Sequence, residues 1–248
     1  MRLDVFLTEN GYFESRKRAS DSIKGGLVWV NGKSVTKPSF DTDSFDKIDV
    51  KGEICPYVGR GGFKLEKALS VFGVDPQGMV CVDIGSSTGG FTDCLLQKGA
   101  SKVFAVDSGK DQLHTSLRSR ADVVCMEGFN ARFLCEADLG EKVDLAVMDV
   151  SFISQTLLYE AVSSVLKEGG VFISLIKPQF EAGKSGIGKN GIVKDEKVRL
   201  SVCEKIKDCS KIYGLEVVKI IESPILGGDG NKEYLAHFVL TNNYNGEK

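Results

Sequence analysis

The sequence has little histidine, no paired cysteines and no long apolar run, and each shortage removes a class of function. Its two histidines, His114 and His237, are far apart and lack ligand spacing. No metal site is therefore expected. The seven cysteines are odd in number and include no C-x-x-C pair. Cys81 and Cys125 lie inside apolar runs. They read as free buried thiols of a reducing cytoplasm. No apolar stretch approaches the ~18 residues that span a bilayer. Asp4 and Glu9 interrupt the place where a signal peptide would carry its apolar segment. A cytoplasmic protein with no membrane contact is expected, and a pore-forming one lacks the inserting segment it needs. A net charge of −2 also rules out a globally basic nucleic-acid binder.

Two nucleotide signatures are each missing one element. Around Met79 to Phe91 an apolar strand-like run leads into Asp83-Ile84-Gly85-Ser86-Ser87-Thr88-Gly89-Gly90-Phe91 and then an amphipathic segment to Lys98. This predicts a strand, a tight glycine turn and a helix start, where a doubly wound sheet binds a nucleotide-like ligand. The fingerprint G-x-G-x-x-G is absent, because position 87 is Ser. Asp83 before the first glycine would repel a phosphate, so a neutral or cationic ligand such as S-adenosylmethionine fits better. The segment Gly183 to Asn190 nearly matches a P-loop, but Asn190 lacks the alcohol that such a loop places on magnesium. The better expectation is a basic, glycine-rich flap over residues 182–194.

What remains is enough for two parts. A chain of 248 residues that is 42% hydrophobic can hold one small module and one α/β domain. At the start, Leu3, Phe6 and Leu7 share a helical face, which Gly11 ends. Ser15 is placed to cap a second helix carrying Arg16, Lys17 and Arg18, which Gly25-Gly26 breaks. Leu27 to Val30, then Asn31-Gly32, then Lys33 to Val35 predicts a hairpin, and Asp46 to Val50 a further strand. From Glu14 to Lys37 there are six basic residues against two acids, a local excess of positive charge. The order of these features resembles the S-four RNA-binding domain. That resemblance implies RNA binding through Arg16, Lys17, Arg18, Lys24 and Lys33, with Arg60 beyond the linker.

The linker around Pro56 leads to a helical stripe through Phe63, Leu65, Ala68, Leu69 and Phe72, with Lys64 near its start. After the glycine turn come strands at Lys102–Asp107, 122–126, 143–150, 170–176, 215–221 and 234–240, most of them separated by helical segments such as 155–166 and 195–212. Asp107 lies about two dozen residues past the turn, where such folds bind a ribose hydroxyl. Glu127-Gly128-Phe129-Asn130 could frame an adenine. With no long helix between them, the last two strands should pair antiparallel. A mostly parallel seven-stranded sheet with an antiparallel end strand suits a Rossmann-like class I S-adenosylmethionine methyltransferase better than a dehydrogenase.

Asp149 and Lys177 end adjacent strands of that sheet, and strand ends line its ligand crevice. Lys64 can fold over the crevice, and Glu233 opens the last strand. Two lysines and two carboxylates there could orient a ribose 2′-hydroxyl and remove its proton, with Lys177 as base or steering group, Asp149 and Lys64 as its tuners and Glu233 as orienter. The segments around Asp83, Met148-Asp149, Ile176-Lys177-Pro178-Gln179-Phe180-Glu181 and Asn231-Lys232-Glu233 resemble the TlyA family. These are FtsJ-like ribosomal RNA 2′-O-methyltransferases, often labelled haemolysin A. The resemblance implies a catalytic set Lys64, Asp149, Lys177 and Glu233. It implies S-adenosylmethionine held by Asp83, Gly85, Ser86, Ser87, Thr88, Gly89, Gly90 and Phe91, with Asp107 on the ribose. Its substrate would be a cytidine ribose of ribosomal RNA, free or in a subunit. The parts would be a small α+β RNA-binding domain over residues 1–54, a linker at 55–59 and the methyltransferase domain over 60–245. The sequence departs from the family at Ser108-Gly109-Lys110-Asp111-Gln112-Leu113, which should alter the cofactor rim and not the reaction. A non-catalytic ribosome-assembly factor is the alternative, and the complete set of four charged residues argues against it.

Overall fold

The computed structural model describes residues 1–13, 15–51, 56–183, 186–188, 191–227 and 230–241. Parts of the expected linker and flap, including Cys55 and Lys184, Ser185, Lys189 and Asn190, lie outside them. The chain forms two compact units, Met1–Arg60 and Gly61–Lys248.

The first unit packs two helices, α1 (Leu3–Glu9) and α2 (Arg16–Lys24), on a small sheet of β1 (Val28–Val30), β2 (Lys33–Ser34) and β3 (Ile48–Val50), in the order β2-β1-β3. Ser15 caps α2 by accepting a hydrogen bond from the Arg18 amide at 3.3 Å. Asn31 and Gly32 both take positive φ, the conformation a two-residue hairpin turn requires. The apolar stripes of both helices, Leu3, Leu7, Ala19 and Ile23, meet Val28 and Val30 in one core. Asp4 joins the helices. It is buried, and it accepts from Arg2 Nε at 2.9 Å and from Arg16 Nη2 at 3.1 Å.

The second unit begins with α3 (Gly61–Phe72) and continues through β4 (Val80–Ile84), α4 (Gly90–Gln97), β5 (Lys102–Asp107), α5 (Thr115–Arg118), β6 (Val123–Glu127), α6 (Glu136–Leu139) and β7 (Val143–Met148). It closes with α7 (Tyr159–Val165), β8 (Leu166–Ile176), α8 (Pro178–Glu181), α9 (Glu196–Lys211), β9 (Leu215–Glu222) and β10 (Tyr234–Leu240). Short 3-10 turns stand at Ala131–Phe133 and Gln155–Leu158. The seven strands lie in the order β6-β5-β4-β7-β8-β10-β9. Strands β4 to β8 run parallel, as the near-continuous apolar runs of a sheet covered on both faces require.

The last strand is antiparallel, as expected, but it is not at the end of the sheet. β10 inserts between β8 and β9 and pairs with both. Its burial explains the position: Leu235, Ala236 and Phe238 are wholly buried, whereas β9 carries the exposed Val218 of an edge. The ring of Phe238 stacks on Phe172 at 4.9 Å, and Tyr159 meets both rings in the centre of the core. The strand expected from residue 170 begins at Leu166.

The two arginines hold the Asp4 carboxyl down at about 2, Arg2 more strongly than Arg16. A carboxyl lowered by folding stabilises the fold above its unfolded value and loses that contribution as pH falls through its folded one. Acid unfolding should therefore steepen between about pH 4 and about pH 2. Asp4→Asn should be less stable at neutral pH and should lack that step, as read by urea denaturation of the full chain.

Candidate active site

The sheet changes its direction of winding between β4 and β7, and the crevice of a doubly wound sheet forms at such a point. A pocket of about 460 Å³ lies there. Its walls come from the ends of β4, β5, β6 and β7: Gly85, Ser87, Asp107, Gly109, Phe129, Asn130, Asp149 and Phe152 are among its lining.

The glycine turn has the shape its residues dictate. Gly85 has φ +84°, and a Cβ there would stand 2.7 Å from the Asp149 carbonyl oxygen. Only glycine lets β4 and the end of β7 come so close. The amides of Gly85 and Ser86 bind the Val106 carbonyl at 2.8 and 3.1 Å, which fastens the turn to β5. Gly89, at φ 94°, starts α4 with no side chain to cap it. Asp83 supplies the missing cap from the neighbouring strand: its Oδ2 accepts from the Thr92 amide at 2.9 Å and the Thr92 hydroxyl at 2.7 Å. Asp83 is wholly buried, and its Oδ1 has no hydrogen-bond partner among the described residues. The buried Oγ of Ser86 has none either.

The cofactor residues expected from the sequence therefore divide into two groups. Gly85, Ser87 and Asp107 line the pocket. Asp83, Ser86, Thr88, Gly89, Gly90 and Phe91 build the turn behind it, with Phe91 buried against Gly61. Asp107 accepts from the Ser87 amide at 2.8 Å and the Gly109 amide at 2.7 Å, so it joins the glycine turn to the loop after β5.

The four charged residues come together as two ion pairs. Lys177 Nζ lies 2.6 Å from Asp149 Oδ1 and donates to Ser151 Oγ at 2.7 Å. Lys64 Nζ lies 2.6 Å from Glu233 Oε2, with both side chains nearly excluded from solvent. α3 turns the Lys64 side chain inward, and the ammonium is met by a carboxylate. Gln179, in the turn that begins with Lys177, donates from Nε2 to Glu233 Oε1 at 3.3 Å. Phe152 stands beside them, 91% exposed, at φ 64° and 5.1 Å from the Phe180 ring. Backbone strain of this kind in a bulky residue collects at functional sites. No motif in the sequence marks Phe152, though it lies in a loop that follows a strand end, where such residues belong.

Among the basic residues of the first unit, Lys17, Lys24 and Lys33 are exposed. Arg16 binds Asp4, Arg18 Nη2 donates to the Tyr57 carbonyl, and Arg60 lies 3.7 Å from Asp21. Cys81 is a buried free thiol as expected, whereas Cys125 is only partly buried, and Cys135 is exposed.

A glycine turn at the switch point, an acid at the end of β5 and an antiparallel strand set inside the sheet define a Rossmann-like methyltransferase domain. The chain belongs to the FtsJ-like methyltransferase family, whose model matches residues 57–239, and it carries an S4 domain over residues 1–48. Hemolysin A of Brachyspira hyodysenteriae is 43% identical over 97% of this chain and 100% of its own. The 16S/23S rRNA (cytidine-2'-O)-methyltransferase TlyA of Mycobacterium tuberculosis is 36% identical over 94% of this chain and 87% of its own. A solved structure from Streptococcus thermophilus superposes with a TM-score of 0.79 at 43% identity, over 98% of this chain and 89% of that one. No helix among the described residues is long and apolar enough to cross a membrane.

Burial raises the Asp83 carboxyl to about 7 against the lowering effect of Thr92. A carboxyl raised by folding stabilises below its unfolded value, and that contribution declines as pH rises and is lost through its folded value. Asp83→Asn, which can still accept from Thr92, should remove the decline. Urea midpoints of wild type should fall between about pH 4 and about pH 7 while those of the variant stay level.

Proposed function

We propose that the protein transfers a methyl group from S-adenosylmethionine to a ribose 2′-hydroxyl of ribosomal RNA, at a cytidine as in its TlyA relatives. The observation that carries this reading is the two lysine–carboxylate pairs, Lys177–Asp149 and Lys64–Glu233, with Asp149 on the wall of the pocket beside the glycine turn. The residues present suit the donor. The unpartnered, buried Asp83 Oδ1 and Ser86 Oγ are acceptors at the turn, fit for the ammonium of its amino-acid end. Asp107 presents a carboxylate to a ribose, and Phe129 and Asn130 give the wall an apolar face and an amide for adenine. When bound, S-adenosylmethionine supplies an electrophilic methyl group on a sulfonium.

The chain's own residues then have two tasks. Lys177 and Asp149 would hold the hydroxyl in line and accept its proton as the ribose oxygen bonds the methyl carbon and the C–S bond breaks, which leaves S-adenosylhomocysteine. Lys64 and Glu233 orient the ribose from the other side. Phe152 offers an open aromatic face on which the target base can stack. The exposed Lys17, Lys24 and Lys33 of the S4 domain serve phosphate contacts, which place an RNA without reading its sequence. The domain limits 1–54 and 60–245 remain part of this proposal; the S4 match ends at residue 48, and the FtsJ-like match begins at residue 57, inside the linker expected at 55–59.

The test is incubation with tritiated S-adenosylmethionine and ribosomal subunits or free RNA, followed by mapping of the label. Label on ribose is expected, and its absence overturns the reading. Lys177→Ala should lower turnover by about a hundredfold or more. Turnover equal to wild type would remove Lys177 from the reaction. Phe152→Ala should raise KM for RNA by roughly tenfold, the loss of one stacked base.

A further inference from the structure

The loop after β5 is part of the pocket wall, and a residue outside the reaction holds it in place. Residues Ser108, Gly109 and Gln112 of that loop line the pocket. Asp111 within it has φ 54°, a left-handed conformation that a non-glycine residue keeps only when its surroundings impose it. The imposing group is Glu127, at the end of β6. Its Oε1 accepts from the amides of Gln112 at 2.7 Å and Leu113 at 2.8 Å. Its Oε2 accepts from the Asp111 amide at 2.8 Å and from Arg118 Nη2 at 2.7 Å. Three successive backbone amides and a guanidinium thus converge on one carboxylate, as they would on a bound anion. The side chain is 9% exposed. These bonds, with the Leu113 amide foremost, hold the carboxyl down at about 2, so it stays an acceptor throughout the physiological range.

The rest of the loop shows why this anchor matters to the pocket. Its other end is fixed by Asp107, which takes the Gly109 amide, and by the Gly128 amide, which donates to the Gly109 carbonyl at 2.8 Å. Between these fixtures Gln112 packs against Gly109, so that a Cβ on the glycine would meet Gln112 Cγ at 2.9 Å. Without Glu127 the segment 111–113 keeps no bond from β6, and Gln112 is free to leave the wall. The expectation that Glu127 itself frames an adenine is not met, because both carboxylate oxygens face the loop backbone.

We infer that Glu127 is a positioning residue for the methyl donor: it shapes the 108–113 loop into the rim beside Asp107 and so sets donor affinity without touching the reacting atoms. This rests on the donor reading above. The experiment is calorimetric titration with S-adenosylhomocysteine, which binds as the donor does and does not react. It is run on wild type, Glu127→Gln and Arg118→Gln. A glutamine keeps one acceptor oxygen and turns an NH₂ toward amide donors, so Glu127→Gln should weaken binding by roughly tenfold or more. Arg118→Gln leaves the three amides engaged and should weaken it by less than about threefold. RNA affinity should stay within about twofold of wild type in both, which a general loss of structure would not allow. Hydrogen exchange at the amides of 111–113 should speed up in Glu127→Gln alone. If that variant does not fold, Glu127→Asp, which withdraws the carboxylate by one methylene, should show the same weakening. Donor-product binding unchanged in the folded Glu127 variant overturns the inference while leaving the function standing. No binding to wild type overturns the donor reading, and the inference with it.

Discussion

The register between β10 and its neighbour β8 is the constraint on which the site depends. Tyr234 stands opposite Ile176, and so the residue before β10 and the residue after β8, Glu233 and Lys177, leave the sheet at the same level. On the other side Ile84 pairs with Met148, and the Asp149 amide binds the Ile84 carbonyl at 3.0 Å. That brings Gly85 and Asp149 to the same level again. Four candidate site residues from distant parts of the sequence, Gly85, Asp149, Lys177 and Glu233, are therefore set by backbone hydrogen bonds before any side-chain contact is made. A slip of one residue in β10 would turn Leu235 and Phe238 each to the opposite face of the sheet and carry Glu233 away from Lys64. Core burial and site geometry are enforced by the same pairing.

Above that frame, carboxylates do the local positioning. Asp83 caps α4, Asp107 joins the glycine turn to the next loop, and Glu127 holds the far side of that loop. Glu181 does the same on the opposite side, accepting from Ser154 Oγ at 2.6 Å and the Gln155 amide at 2.8 Å, which ties the Phe152 loop to α8. Backbone amides in the loops after strands lack sheet partners, and a buried amide without a partner is costly. An acceptor with two oxygens satisfies several at once and fixes the loop in one shape. The pocket wall is rigid for this reason, although it is made of loops.

How much of this could be read in the sequence follows from the range of the interactions. The strands were legible because runs such as Val103-Phe104-Ala105-Val106 have one local reading, and β5 and β10 fall where their residues predict. The cap at Ser15 and the turn at Asn31-Gly32 are local as well. The placement of β10 inside the sheet was not legible, because only packing against Phe172 and Tyr159 decides it. Nor was the division of the four charged residues into pairs, since Lys64 and Glu233 are separated by most of the domain. Phe152 gave no sign either, because nothing in Ser151-Phe152-Ile153 announces a positive φ. Glu127 was placed on the correct wall, but its direction depends on three amides in another loop.

The two lysine–carboxylate pairs differ from the other ion pairs of the domain in a way that bears on their purpose. Pairs such as Lys211–Asp208 lie largely in solvent, where an ion pair contributes little. Lys64 and Glu233 are only 10% and 3% exposed. Withdrawing two charges from water to that degree is opposed by desolvation, and an apolar pair of similar volume would often serve stability as well or better. Stability alone therefore gives no reason to keep this pair. Its retention makes sense if the ammonium and the carboxylate must both be present, at fixed positions, for a polar group that arrives from outside. A ribose hydroxyl, donor and acceptor at once, is such a group: it needs a partner of each kind. The Lys177–Asp149 pair offers the same two kinds of partner.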